Sequence, residues 1–180
     1  MGRMLGNEGR NDGNTAYVKH IALCGLLTAL MLMLGYVESR IPLIYGIPGI
    51  KLGLSNTVLL YAVYLLPFPF TPGLMLVKVL LSALLFGSPF AIVFSLAGGV
   101  FSVCGMLLAC RVVKFSIIGV SVTGAFFHNV GQMLVALWLV RNVHILYYLA
   151  VLTLAAVGTG LLTGTVAGVV MKAIGTKQGG

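Results

Sequence analysis

The sequence predicts an all-α, polytopic membrane protein with six transmembrane helices, and three observations carry that prediction. The first is composition. Of 180 residues, 59% are hydrophobic and 8% charged, with a mean hydropathy of +1.10. A soluble domain normally carries about 25% charged residues, so the polar surface here is too small to cover a water-soluble globule and lipid must solvate the exterior. The second is spacing: apolar runs recur at 21–37, 52–66, 73–86, 89–110, 115–140 and 145–171, against the roughly 20 residues that a crossing needs. The third is the placement of the 11 Lys and Arg residues, which stand singly between apolar runs. Scattered cations of this kind follow the positive-inside rule and form no nucleic-acid footprint, despite the formal net charge of +8.

In chain order, residues 1–19 are polar and rich in Gly and Asn, which predicts a disordered cytoplasmic tail ahead of a transmembrane domain at 20–172. The run 21–37 ends without a small-residue cleavage site, so it is read as a retained span rather than a signal peptide. Gly25 and Ala29 lie one turn apart on that span, and small residues so spaced serve either bundle packing or the docking of a partner helix. The following segment, 38–51, is apolar and carries Pro42, Pro48, Gly46 and Gly49. Such a segment predicts a lid folded over the outer side of the bundle.

Spans two and three are short, and they carry the polar interruptions Ser55, Asn56 and Lys78. Between them lie Pro67, Pro69 and Pro72, read as a turn because prolines in such density break a helix. Short, interrupted spans point to a transport site, with helix tilt as the plainer alternative. The fifth run holds His128, Asn129 and Gln132 at its centre. His128 and Gln132 share a helical face with Asn129 beside them, and polar groups at that depth face a bundle interior or an aqueous cavity. The sixth run places Gly160, Gly164 and Gly168 on one face, read as a close-packing stripe. Residues 173–180 form a second cytoplasmic tail.

With six crossings and the N-terminus inside, Arg3, Arg10, Lys19, Arg111, Lys114, Lys172 and Lys177 lie inside, while Arg40, Lys51 and Arg141 lie outside. That asymmetry favours both termini in the cytoplasm, and the expected location is the plasma membrane.

Lys78 falls within a span, where a lysine costs roughly 2.5–3.5 kcal/mol on insertion scales. Of the three carboxylates in the chain, Glu8 and Asp12 are in the N-terminal tail, leaving Glu38 as its candidate partner, with Arg40 competing. Lys51 sits at a span boundary, where it either snorkels to water or faces inward. Together Arg40, Lys51, Ser55, Asn56, Lys78, His128, Asn129 and Gln132 would suit a small ligand bearing phosphate or carboxylate groups. Tyr36, Tyr45, Phe126 and Phe127 are candidates to pack its apolar part.

Catalysis has little support. An intramembrane enzyme acting on prenyl diphosphates would hold Mg²⁺ between paired acids, and the chain has no Asp-rich motif. His128 lacks a Cys or acid at nucleophile or metal spacing. Cys24, Cys104 and Cys110 lie within apolar runs and read as small buried hydrophobes. No phosphate-binding loop is present, so any ATP-driven step needs another subunit. The expectation is a non-enzyme with no cofactor and no metal site.

Four stretches carry a family resemblance: 47–56 (IPGIKLGLSN), 80–88 (LLSALLFGS), 94–99 (FSLAGG) and 119–132 (GVSVTGAFFHNVGQ). In these the chain resembles the Gx transporter family, also labelled heptaprenyl diphosphate synthase component I, over about residues 20 to 172. That family is grouped with the S-components of energy-coupling factor (ECF) transporters, six-helix proteins with both termini inside. The resemblance implies an ECF S-component-like fold and uptake of a vitamin-like or isoprenoid or quinone-precursor molecule. It also implies a transmembrane coupling subunit and two ATPase subunits as partners, with Gly25 and Ala29 the nearest match to a docking motif. The alternative it implies is a non-transport membrane accessory of heptaprenyl diphosphate or menaquinone synthesis, or of flavin-based extracytosolic electron transfer.

Overall fold

The computed structural model describes the backbone of residues 5–40, 53–86 and 89–175, with side chains described within 14–38, 53–85 and 92–175. The described residues form six α-helices: α1 (Leu5–Arg40), α2 (Leu54–Leu65), α3 (Phe70–Phe86), α4 (Pro89–Leu107), α5 (Ile117–Val140) and α6 (Leu146–Ala173). Each of the six apolar runs overlaps one of them. Four stretches are long and apolar enough to cross a membrane, namely Asn14–Glu38, Ile92–Val112, Ile117–Val140 and Val143–Ala173. The other two are shorter, as their sequences predict: α2 has 12 residues and α3 has 17, about 18 and 25 Å of helix.

Three boundaries differ from the sequence reading. α1 begins at Leu5, so residues 5–19 are helical where composition predicts a disordered tail. Once the apolar stretch has nucleated a helix, each further residue needs only propagation, which polar residues also support. α3 begins at Phe70, so the turn between α2 and α3 is shorter than three prolines suggest. Pro72 sits in the first turn, where the missing N–H has no intrahelical partner to lose. α4 runs on into a π-helical turn, Leu108–Val112. The chain then reverses at Lys114, whose φ of 58° is left-handed, and Ser116 opens α5 by accepting the Gly119 N–H at 3.3 Å.

Helices α4, α5 and α6 pack as antiparallel neighbours through glycine. A Cβ on Gly131 would lie 2.6 Å from the Ala97 carbonyl oxygen, and Cβ atoms on Gly160 and Gly164 would lie 2.7 and 2.9 Å from the Cα atoms of Val122 and Ile118. Two of the three glycines in the α6 stripe are therefore pressed against α5. Gly168 is different, with nothing within 4 Å of its Cβ position.

Two buried clusters hold the bundle. Leu27, Met31, Leu59, Leu74, Met75 and Val103 join α1 to α2, α3 and α4. Leu60, Met106, Val120, Ala167 and Met171 join α2 to α4, α5 and α6. The cysteines are free; Cys24 and Cys110 are half-buried, and Cys104 lies exposed on α4 rather than buried as its apolar setting predicts.

Candidate functional site

Polar residues from all six helices converge on one cavity of about 180 Å³. Helical periodicity explains the convergence. On α5, Ser121, Ala125, His128, Asn129 and Gln132 follow one another at intervals that keep a single face inward. The same logic aligns Met75, Lys78, Val79 and Ser82 on α3, and Ala155, Ala156, Thr159 and Thr163 on α6. α1 contributes Met31, Gly35 and Glu38, α2 contributes Ser55, Asn56 and Leu59, and α4 contributes Ser95, Gly99 and Met106. All six helices thus wall the cavity. Met31, Leu59, Met75 and Val79 belong equally to the core packing, so its apolar side is core surface.

Several wall groups are held by hydrogen bonds. The Asn129 side-chain amide donates to the Leu152 carbonyl of α6 at 2.8 Å. The hydroxyls of Ser121 and Thr163 are 2.8 Å apart, joining α5 to α6. Thr159 and Thr163 donate to the carbonyls of Ala155 and Thr159, each at 2.9 Å. Glu38, 9% exposed, accepts the Gly53 N–H on Oε1 at 2.6 Å. Gly53 lies at the start of α2 with φ 74°, a conformation that L side chains adopt only at a cost. Packing sets the rest of the wall: a Cβ on Gly98 would come within 2.8 Å of the His128 ring and 3.0 Å of the Gln132 side chain.

Six of the eight candidate ligand residues meet at this cavity: Ser55, Asn56, Lys78, His128, Asn129 and Gln132. Arg40 ends α1, but its side chain lies outside the described residues, as does all of Lys51 and the lid expected there. Sequence reasoning did not assign Ser82, Ser95, Ser121, Thr159 or Thr163, and considered Glu38 as a partner for Lys78 alone. Ser82 and Ser121 were findable, since they repeat the faces of Lys78 and His128 one and two turns away. The aromatic expectation is corrected. Phe127 packs on Gly105 and meets Phe126 edge-on at 5.6 Å, and neither ring lines the cavity. Tyr36 is exposed, and Tyr45 lies outside the described residues.

Gly25 and Ala29 line a different feature, an apolar groove of about 750 Å³ between α1 and α3, with Ile21, Phe70, Gly73 and Val77. Nothing lies within 4 Å of a Cβ position on Gly25 or Gly73. Among the described residues, no three His, Cys, Asp or Glu side chains gather where they could hold a metal ion.

A family model described as heptaprenyl diphosphate synthase component I matches residues 27–170. The chain belongs to that family. The match runs from α1 to α6 and takes in every described residue that lines the cavity. No curated protein and no solved structure matches it.

Proposed function

We propose that this protein is the membrane-embedded, substrate-binding subunit of an ECF-type transporter, capturing a small molecule from outside the cell. The observation that carries the reading is the cavity: a polar chamber walled by all six helices of an otherwise apolar bundle. In lipid, polar side chains at depth are retained where they serve a ligand, an ion path or one another. The Lys78 ammonium in its wall supports an anionic group on that molecule.

The outer surface supports the membrane setting. Leu84 and Leu154 are 83% and 76% exposed, among many other outward-facing large apolar side chains, an extent of apolar surface suited to lipid. Trp138 and Tyr147, at adjoining ends of α5 and α6, are also exposed, as in an aromatic belt at a bilayer surface. The charge asymmetry read from the sequence sets both termini in the cytoplasm. The groove at Gly25 and Ala29 would seat a helix of the coupling subunit, which two ATPases would drive.

A second reading is favoured by the family description, which names a synthase component. In it the chain is a membrane accessory that partners another component of heptaprenyl diphosphate synthesis, or of a redox system, and is not itself catalytic. Capture of the full chain from detergent extracts, read by mass spectrometry, separates the two. Enrichment of a coupling subunit with ATPases supports transport, whereas a prenyl synthase without them supports the accessory role. For the site, Lys78→Ala and Asn129→Ala should each abolish retention of a co-purified small molecule while leaving membrane insertion intact. Unchanged retention in both removes the cavity from the mechanism.

A further inference from the structure

We infer that a buried water site lies between α3 and α4, held by the hydroxyls of Thr71 and Ser102, with the Met75 thioether as the movable screen between it and the chamber. The site stands beside the chamber and holds whatever molecule the chamber carries.

Burial and bonding mark the site. Thr71 and Ser102 are both 0% exposed, and the hydroxyl of each has no hydrogen-bond partner among the described residues. Other helical hydroxyls in the bundle behave differently: Thr28, Thr123 and Thr153 each donate to a carbonyl one turn back at 2.8 Å. That local bond is the usual way for a helix to satisfy a threonine. A hydroxyl buried without any bond costs free energy, and a water molecule between two of them offsets that cost.

Helical geometry brings the two together. Thr71, Met75, Lys78 and Ser82 form one stripe on α3, and Ser95, Gly99, Ser102 and Met106 form one on α4. The stripes meet at Met75 and Gly99, where a Cβ on Gly99 would lie 2.6 Å from the Met75 sulfur. Those two residues lie about equally far from the connection between the helices, as in an antiparallel hairpin. One turn back from Met75 and one turn on from Gly99 therefore lead the same way, to Thr71 and Ser102. Both hydroxyls stand at about one level on the same side of the α3–α4 contact. A buried water needs about two to four polar partners, and the pair supplies two.

Met75 separates the pair from the chamber. Met75, Gly99 and Met106 line the chamber and Thr71 and Ser102 do not, although Ser102 lies between Gly99 and Met106 on one stripe. The thioether occupies the space that a side chain at position 99 would fill. Methionine is unbranched, with three rotatable bonds, so a rotamer change at Met75 joins the hydroxyl pair to the chamber without moving a helix.

Three measurements on the full chain test the site. Thr71→Val and Ser102→Ala remove the hydroxyls with little change of shape, and each should lower the thermal midpoint in detergent by roughly 2–6 °C. The double variant should fall by clearly less than the sum, because the first loss already strands the water. Single variants that raise the midpoint, or effects that simply add, overturn the site, since a dry buried hydroxyl is better replaced by carbon. Density from a crystal structure supports the site if a water lies between the two oxygens, and overturns it if they bond directly. For the screen, Ser102→Cys is labelled with a small water-soluble methanethiosulfonate and counted by mass against the native chain, whose own three cysteines are free. Adding Met75→Ala should speed labelling at position 102 several-fold. Equal rates with and without Met75→Ala overturn the screen.

Discussion

The carboxylate of Glu38 accepts the backbone N–H of Gly53 at 2.6 Å, across fifteen residues of chain, and both residues border the cavity. One bond thus ties the end of α1 to the start of α2 at the edge of the chamber. The acceptor is charged and buried, so the bond belongs to the stronger class. Glu38→Ala should lower stability by about 1.5–3 kcal/mol, read as a fall in the thermal midpoint in detergent. Glu38→Gln, which can still accept, should fall less. Equal midpoints for Glu38→Ala and the native chain would show that the bond contributes nothing. At the donor end, Gly53→Ala should cost about 1–2 kcal/mol through its left-handed backbone alone.

Gly98 shapes the cavity without entering it. A methyl there would lie 2.8 Å from the His128 ring and 3.0 Å from the Gln132 Cγ, closer than such contacts allow, so both side chains must move while the backbone of α5 need not. Gly98→Ala should therefore lower the thermal midpoint only modestly while reducing retention of the co-purified molecule. A large fall in midpoint with retention unaltered would mean that the glycine serves packing alone.

How far the sequence revealed this site depends on residue type. His128, Asn129 and Gln132 announce themselves because amides and imidazoles are costly in an apolar run, and Lys78 does so more strongly. Single hydroxyls are quieter. Thr159 and Thr163 satisfy themselves on carbonyls one turn back, as helical threonines commonly do, so nothing in the local sequence marks them as facing a chamber. The phenylalanines mislead through adjacency: Phe126 and Phe127 precede His128 directly, yet successive helical residues are about 100° apart, and the inward face skips from Ala125 to His128. Hydropathy located all six helices but not the N-terminal reach of α1, where propagation and not apolar content sets the boundary.

The Ser121 and Thr163 hydroxyls, 2.8 Å apart, form a side-chain bond between α5 and α6. Bonds of this kind inside membrane bundles average about 0.6 kcal/mol in double-mutant cycles, because the unfolded chain also finds partners. A cycle of Ser121→Ala and Thr163→Val should return a coupling of about that size. A coupling indistinguishable from zero would assign both hydroxyls to the cavity, with no role between the helices.

The two classes of glycine in this bundle make opposite predictions. Gly131 faces the Ala97 carbonyl oxygen at 2.6 Å from its Cβ position, a backbone atom that cannot rotate aside. Gly131→Leu should overpack the α4–α5 interface by about 1–3 kcal/mol or more, visible as lost thermal stability and poor recovery from the membrane. Gly25 meets nothing within 4 Å and opens onto the groove between α1 and α3. Gly25→Leu should leave both midpoint and small-molecule retention intact, since it disturbs no contact within the chain. If the groove seats a partner helix, the added side chain occupies the space that close approach requires, and capture of that partner from detergent extracts should drop sharply. Undiminished capture with Gly25→Leu would mean that the groove faces lipid, and that the partner docks on another face of the bundle.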